Sequence, residues 1–560
     1  MSNVEITVDR VPGATPPDRP HHHTAVLDRA HLGDIHGALG SIAEDDLGPR
    51  TTWRRRALTL LAILGPGLIV MVGDNDAGAF GTYSQAGQNY GTSLLWTLAL
   101  LVPVLFVNQE MVLRLGAVTG VGHARLILER FGKFWGAFSV IDLFLLNALT
   151  IVTEFIGISL ALDYLGLPKV AGVAISAVVV MAAASTGNFR RFERFSMALV
   201  AGSLLLIPVV LMVHPPVGQI VHDFVTPQLP KHSKLSEVML LIIAIVGTTV
   251  APWQLFFQQS YVIDKRITPR FINYERADLW IGIALVIIGA VAMMAFCAQA
   301  FAHSPQFGAF TDARGSAVGL EKYAGRAAGV LFALALIDAS VIGAAAVSLS
   351  TAYAIGDVLS LRHSLHRSPL DAKGFYLVYF GLIAVSAALV IIPGTPLGLL
   401  TNAVQTLAGV LLPSATVFLL LLCNDKAVLG PWVNSRWVNL FTGMVIAVLV
   451  MMSIILTASV LFPGLGAGAM LAIFGGGGAL ALTAWAGLSL WGRRNGGGEA
   501  IDRTGKDSWR MPPLDTLAPA RLTRLSRVWM IVLRGYLILA GGLVLARIVS
   551  LAVSGHPGAG

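Results

Sequence analysis

The chain has 560 residues, of which 55% are hydrophobic and only 12% are charged, and its mean hydropathy is +0.73. Soluble domains carry about 25% charged residues, so this composition excludes an ordinary soluble protein. The net charge of +8 would suit a nucleic-acid-binding protein. The basic residues, however, fall in short clusters between apolar runs, where they report membrane topology instead. We therefore expect the lipid bilayer, and no nucleic acid, as a partner.

The first fifty residues are polar and include a run of three histidines from His21. This composition predicts a disordered cytoplasmic tail over 1–52, with no cleavable signal peptide. The two cysteines, Cys297 and Cys423, both lie in apolar segments. Neither a disulfide framework nor a thiolate metal site is therefore expected.

Apolar runs of about 20 residues recur from Ala57 onwards, each long enough to cross about 30 Å of hydrocarbon. Because lipid offers no partners for the backbone, these runs are expected to be helices, which predicts an all-α polytopic membrane protein. The predicted spans are 57–87, 92–113, 135–163, 169–187, 195–214, 236–263, 276–302, 326–357, 373–393, 396–422, 438–462, 468–491 and 528–553.

The basic clusters all fall on one side of the membrane if every span crosses once. Arg54, Arg55 and Arg56 precede the first span, and Arg190 and Arg191 follow the fourth. By the bias of Lys and Arg toward the cytoplasm, the N-terminus is predicted to be cytoplasmic in a multi-pass protein of the cell membrane. The loop 492–527 fits the same side, and 528–553 is a possible final helix whose membrane crossing stays open.

Two acidic residues lie far inside the first span. Asp74 and Asp76 stand in the run GPGLIVMVGDNDAGAFG, with Gly73 and Gly78 beside them. A carboxylate near the bilayer centre costs at least about 2.5–3.5 kcal/mol on insertion scales, so two require a compensating partner. Glycines loosen the helix and let carbonyls turn toward a ligand. The pattern indicates an oxygen-rich cation site; pairing with a buried Arg, or a wet vestibule, is the structural alternative.

The sixth span is also interrupted. It reads IVGTTVAPWQLFFQQS, in which Pro252 removes a backbone donor. A proline kink alone is common, but the first and sixth spans each begin a five-helix unit. Broken helices at corresponding places are typical of inverted-repeat transporters.

At these residues the chain resembles the NRAMP family of divalent transition-metal transporters, which have the LeuT-type inverted-repeat fold. The resemblance also includes QEMVLRLGAVTG from Gln109, TEFIG from Thr153, GNFRRFERF from Gly187, LTNAVQTLAGVLLP from Leu400 and NDKAVLG from Asn424. It implies two inverted five-helix repeats over 53–215 and 236–422, with discontinuous first and sixth spans. Additional helices would cover 438–491, giving two or three C-terminal helices with 528–553.

The chain departs from the family at the motifs that hold the metal. The family has Asp-Pro-Gly-Asn in the first span, whereas here the run is Asp76-Ala77-Gly78-Ala79, so the amide ligand is lost. The family's sixth-span Met-Pro-His is Ala251-Pro252-Trp253 here. Losing the soft thioether removes a preference for transition metals and leaves room for a hydrated magnesium ion.

The resemblance implies a metal site built mainly from oxygen ligands. Asp76 and Thr248 are the expected ligands, directly or through water, with Asp74 and Gln405 near. Asn75 would replace the lost amide only if the unwound backbone turns it inward. Ala79, Ala251, Trp253 and Gln258 would shape the vestibule or its selectivity.

The family's proton path is altered as well. The family uses an acidic pair in the third span and two histidines in the sixth. By the resemblance, Glu154 is one acid of that pair and Ile151 replaces the other, while Trp253 and Gln258 replace the two histidines. Few groups remain that titrate near neutral pH, so weak or absent proton coupling is expected. Two further acids, Asp142 and Asp338, are expected to line an aqueous path or to form caps or hydrogen-bonded pairs.

These observations predict a carrier that moves Mg2+, and also Mn2+, by alternating access, as in the NRAMP-related magnesium transporters. The metal would be the substrate, with no cofactor and no obligate protein partner. One alternative is a proton-coupled Mn2+ or Fe2+ importer, and a more distant one is a sodium-coupled amino-acid symporter. No nucleophile–base pattern appears in the sequence, so an enzyme is not expected.

Overall fold

The computed structural model describes residues 29–230, 233–392, 413–462, 464–494 and 505–517, with Val404, Arg503 and scattered residues between 520 and 546. The described part is almost entirely helical. Eight of its helices are long and apolar enough to cross a membrane. Two further pairs of helices, each bent at a short break, would raise the number of spans to ten if each pair is counted as one span.

The described residues of the first half of the chain form ten α-helices. The helices expected to span the membrane are rich in Leu, Val, Ile and Ala, whose apolar side chains suit lipid, while the hydrogen bonds within each helix satisfy its backbone. The helices are α1 (Trp53–Ile63), α2 (Pro66–Val72), α3 (Ala77–Tyr90), α4 (Trp96–Thr119), α5 (His123–Phe131), α6 (Lys133–Leu165), α7 (Lys169–Ala184), α8 (Phe189–Gly202), α9 (Leu206–Val213) and α10 (Val217–Val225).

The second half repeats the pattern of a broken span followed by long helices. Its helices are α11 (Leu235–Thr249), α12 (Pro252–Asp264), α13 (Ile272–Phe301), α14 (Ala313–Ala324), α15 (Arg326–Val358), α16 (Lys373–Ile391), α17 (Pro413–Cys423), α18 (Lys426–Leu429), α19 (Arg436–Leu461) and α20 (Ala467–Arg494). Most of the predicted span 396–422, most of the loop 492–527 and nearly all of 528–553 lie outside the described residues.

The first predicted span, 57–87, is divided into three helices. α1 and α2 meet at an angle of 52°, because Gly65 adopts a φ of 154° that favours glycine and Pro66 begins α2. A second break separates α2 from α3 at residues 73–76. The hydropathy of 57–87 is continuous, so the bend at Gly65 is not visible in it. Trp53 and Leu58 of α1 are exposed.

Residues 29–52 are folded, which corrects the expectation that all of 1–52 is disordered. β1 (Ile35–His36) and β2 (Ser41–Ile42) pair antiparallel, with Ile35 opposite Ile42, and both isoleucines are buried. Arg266 and Arg270 donate to backbone carbonyls of this segment. The segment is polar in composition, yet it gains its order from these tertiary contacts.

A buried lysine fixes the bend between α1 and α2. Lys265 donates to the carbonyls of Ile63 and Leu64 and forms an ion pair of 2.7 Å with Glu193 of α8, and both charged side chains are fully buried. The other carboxylate oxygen of Glu193 accepts from the backbone of Ala38. α2 is thereby joined to the end of α12, the start of α8 and the N-terminal segment.

The four half-helices α2, α3, α11 and α12 lie at the centre of the described fold. α13 packs along both α2 and α3, and α12 packs between α4 and α15. The long helices α6 and α15 pack against each other over their length. Both interruptions are therefore enclosed by continuous helices, as a midplane site requires.

Candidate functional site

The break in the first span places two carboxylates at its two ends. α2 ends at Val72, Gly73 is its C-terminal cap, and Asp76 is the N-terminal cap of α3, accepting from the backbone N–H of Ala79 at 2.9 Å. Asp74 is fully buried, and Asp76 is 6% exposed. Asp76 thus uses one oxygen as the helix cap of α3.

The break in the sixth span frees backbone oxygens. α11 ends at Thr249 and α12 begins at Pro252, with Val250 and Ala251 extended between them. Because Pro252 has no N–H, the carbonyl of Thr248 has no donor four residues ahead of it. Thr248 is only 7% exposed, so it offers a buried hydroxyl and a carbonyl that the helix does not use.

Gln254 joins the two breaks. Its Nε2 donates to Oδ1 of Asp74 and also reaches the carbonyl of Thr249 at 3.4 Å. Its Oε1 accepts from Nε2 of Gln109 on α4 at 2.9 Å. A second link runs from Tyr83 of α3 to Thr249, whose hydroxyls lie 2.7 Å apart. The first and sixth spans are therefore in direct contact beside their breaks.

Glu154 of α6 lies against the other side of the first break. Its Oε2 accepts from the backbone N–H of Ala77 at 3.1 Å. Glu154 and Asp76 both abut Gly343 of α15, where an added Cβ would lie 2.8 Å from Glu154 Cδ and 3.1 Å from Asp76 Cβ. Glycine at 343 thus allows the two acids and α15 to approach closely.

The three central acids have no basic partner. Within the described residues, no Lys, Arg or His forms an ion pair with Asp74, Asp76 or Glu154. The second oxygen of Asp74 and Oε1 of Glu154 are buried without a hydrogen bond. A buried carboxylate without a protein cation is neutralised either by a proton or by an external cation, so this arrangement suits a cation ligand.

No preformed cage of charged ligands is present. Across the described part of the chain, no three His, Cys, Asp or Glu side chains come together as a metal-ligand cluster. A cation between the breaks would combine carboxylates with carbonyl, hydroxyl and water oxygens, which are the ligands of hard divalent ions.

Asn75 points away from this centre. Its Nδ2 donates to the carbonyl of Val286 on α13 at 3.1 Å. The side chain lines an apolar cavity of about 560 Å3 bordered by α9, α13 and α15. Asn75 was expected to replace the lost amide ligand only if its side chain turned inward. The structure does not show that inward turn.

The expected vestibule residues line α12 and the two breaks. Trp253 is buried, its ring approaches Gly73, and its carbonyl accepts from Ser350 at 2.9 Å. Gln258 is fully buried with neither amide atom hydrogen-bonded. Ala251 is half-buried in the sixth-span break, the N–H of Ala79 donates to the cap residue Asp76, and Gln405 lies outside the described residues.

Gln109 and Gln254 were not singled out by the sequence reasoning. Each is a glutamine within an apolar span, and an amide in a membrane interior needs a hydrogen-bond partner. That need is the feature by which the sequence could have indicated them. The bond of Gln254 to Asp74, and of Gln109 to Gln254, depends on the rotation of α12 after the break.

The described spans and the two facing helix breaks define a multi-pass membrane protein with a buried acidic centre. The chain belongs to the Nramp family: the model for natural resistance-associated macrophage protein-like sequences matches residues 67–459.

Relatives and a solved structure agree with this family. The chain is 29% identical over 391 residues to the divalent metal cation transporter MntH of Ralstonia nicotianae, covering 67% of this chain and 86% of that protein. It is 26% identical over 423 residues to MntH of Latilactobacillus sakei, covering 71% and 89%. A crystal structure of a mutant Eremococcus coleocola manganese transporter superposes with a TM-score of 0.61 at 20% identity, covering 82% of this chain and 97% of that one. The predicted all-α polytopic fold with broken first and sixth spans is confirmed.

Proposed function

We propose that this protein carries divalent metal cations across the cell membrane by alternating access, with the ion bound between the two helix breaks. The observation that carries the proposal is the pair Asp74 and Asp76, which are buried without a cationic partner among the described residues. Gln254 connects Asp74 to Thr249 at the sixth-span break. The relatives named as divalent metal cation transporters support the same substrate class.

We assign Mg2+ as the preferred substrate, with Mn2+ also carried. Ala251 occupies the break where the resemblance places a methionine, so no thioether contributes at that position. Soft ligands select transition metals, whereas Mg2+ takes oxygen ligands and keeps several waters. The first ligands in this proposal are Asp76 and Thr248, with Asp74 and Gln405 near them.

A proton-coupled Mn2+ or Fe2+ importer is the second candidate. The contact of Glu154 with the Asp76 region favours it, because an acid beside the binding aspartate is where a coupled proton would be held. The first candidate instead expects transport driven by the membrane potential and the metal gradient alone.

Uptake of Mg2+ and Mn2+ into proteoliposomes, with internal pH recorded at the same time, separates the two candidates. We expect saturable uptake of both ions, competition of Mg2+ against Mn2+, and no internal acidification. Metal-driven acidification would favour the proton-coupled importer. Manganese uptake unaffected by excess Mg2+ would contradict the magnesium assignment.

A further inference from the structure

A second polar site lies beside α4, where the C-terminal segment meets the membrane helices. It is a cavity of about 350 Å3 between α4, α13, α19 and the segment around residue 506. Met511 donates from its backbone to the carbonyl of Val118, which fixes this segment across the end of α4. The same face carries residues 29–52 and the basic loops, so it is the predicted cytoplasmic side.

The described residues that line the cavity include four cations and one carboxylate. Glu110 pairs with Arg276 at 2.6 Å and with Arg114 at 3.3 Å. Arg503 and Lys506 line the same cavity. Glu110 balances at most one of these charges, so the cavity keeps an excess of positive charge.

The cations are positioned by the protein itself. Arg114 is buried and donates to the carbonyl of Trp432 and to Oδ1 of Asn434, while its Nε is buried without a partner. Lys506 lies 3.8 Å from the centroid of the Trp432 ring, and its carbonyl accepts from Trp432 Nε1 at 2.8 Å. Partial burial and the neighbouring Arg276, Arg503 and Arg114 lower the pKa of Lys506. A bound anion would relieve that repulsion.

The rest of the cavity wall is apolar and runs along the membrane helices. Phe106 and Val107 lie one turn before Glu110 on α4, and Val438 lies on α19. Phe106 stacks on Trp280 with ring centroids 4.5 Å apart, and Trp280 is 46% exposed. Exposed tryptophan is typical of the membrane–water interface.

We propose that this basic cavity binds the phosphate group of an anionic phospholipid. Arginine and lysine side chains hold the phosphate, and the glycerol and first methylenes lie on Phe106, Val107 and Val438. The apolar wall favours a lipid over a soluble phosphate ester, because the soluble ester has no acyl chain to contact that wall. Basic pockets between membrane helices on the cytoplasmic side bind lipid headgroups in this way.

The test compares lipid binding to the full chain in detergent by native mass spectrometry. Phosphatidylglycerol is titrated against phosphatidylcholine with the same acyl chains. The pocket variant is Arg503→Gln with Lys506→Gln, and the matched control is Arg54→Gln with Arg55→Gln, which removes two exposed charges from α1 on the same face.

We expect the wild type to prefer phosphatidylglycerol, and the pocket variant to bind it at least about tenfold more weakly, since each basic side chain contributes to anionic-lipid binding. The control should stay within about twofold. No preference for the anionic lipid, or equal loss in both variants, would overturn the site. If glycerol phosphate bound as tightly as the lipid, and its binding were lost in the same variant, the ligand would be a soluble phosphate ester and the lipid assignment would be wrong.

A second measurement does not depend on variants. Bound phosphatidylglycerol should protect Lys506 from an amine-acylating reagent, with exposed Lys234 as the internal reference. Unchanged labelling of Lys506 at saturating lipid would contradict the proposal. This test reads binding alone, so it is independent of metal transport.

Discussion

The amide of Gln254 donates to the carboxylate of Asp74, and this hydrogen bond connects the two interrupted helices across the centre of the protein. Gln254 is itself oriented by Gln109 at 2.9 Å. The two aspartates of the first break are consequently held differently: Asp74 by a side-chain amide and Asp76 as a helix cap.

Replacing Gln254 with leucine should weaken metal binding and transport. The substitution leaves Asp74 buried without its donor, a loss of about 1–3 kcal/mol for an unsatisfied group, which is about fivefold to more than a hundredfold in affinity. Metal affinity of the purified protein measures this. Gln219→Leu, at a glutamine that bonds Thr92 away from the breaks, is the control. Equal affinity in Gln254→Leu and wild type would show that the bridge has no role in binding.

Restoring methionine at Ala251 should shift selectivity toward softer ions. A thioether in the sixth-span break is a soft ligand, so Mn2+ and Cd2+ should gain relative to Mg2+. The ratio of Mn2+ to Mg2+ uptake should rise several-fold. Ala251→Leu, which adds similar volume without sulfur, separates ligand chemistry from size. The same ratio in both variants would contradict the ligand argument.

Lys265→Ala should destabilise the protein strongly. The fully buried Glu193 would lose its partner, and breaking a buried ion pair typically costs about 3–5 kcal/mol. Thermal unfolding in detergent measures the loss. The exposed pair Lys234–Glu237 provides the control Lys234→Ala, which should leave the unfolding temperature nearly unchanged. The double variant Lys265→Met with Glu193→Gln should be milder than Lys265→Ala, since it leaves no unpaired charge.

Gly37→Ala should loosen the N-terminal segment from the membrane domain. An added Cβ at Gly37 would lie 2.0 Å from the carbonyl oxygen of Ala62, so the segment must shift, at a cost of about 1–3 kcal/mol. Limited proteolysis within residues 29–52 should become faster. Gly381→Ala, where nothing lies within 4 Å of the added carbon, should leave the cleavage rate unchanged. Equal rates in both variants would contradict the docking of this segment.

The sequence predicts the helical fold and both breaks because hydropathy and the residues Gly73, Asp74, Asp76 and Pro252 are local signals. It does not predict side-chain directions within the unwound segments. Asn75 lies between two candidate ligands, yet its amide bonds Val286 on α13. Inside a break there is no helical periodicity from which side-chain directions can be predicted, so neighbouring side chains there can point in different directions.

Contacts between distant segments were also beyond sequence reasoning. The polar composition of residues 29–52 indicates disorder when the segment is considered alone. Its order comes from partners more than 150 residues away, including Glu193 and Arg266. The bend at Gly65 is similar, since Lys265 and Asp278 fix it from the second half of the chain.

Magnesium uptake by Asp76→Ala in proteoliposomes tests the location of the site most directly. Asp76 is the N-terminal cap of α3, so its loss also costs about 1 kcal/mol of helix stability, and thermal unfolding in detergent should show that the variant still folds. We expect wild-type vesicles to take up Mg2+ and Asp76→Ala vesicles to show only the leak of empty liposomes. Undiminished Mg2+ uptake by folded Asp76→Ala would contradict a metal site between the two helix breaks.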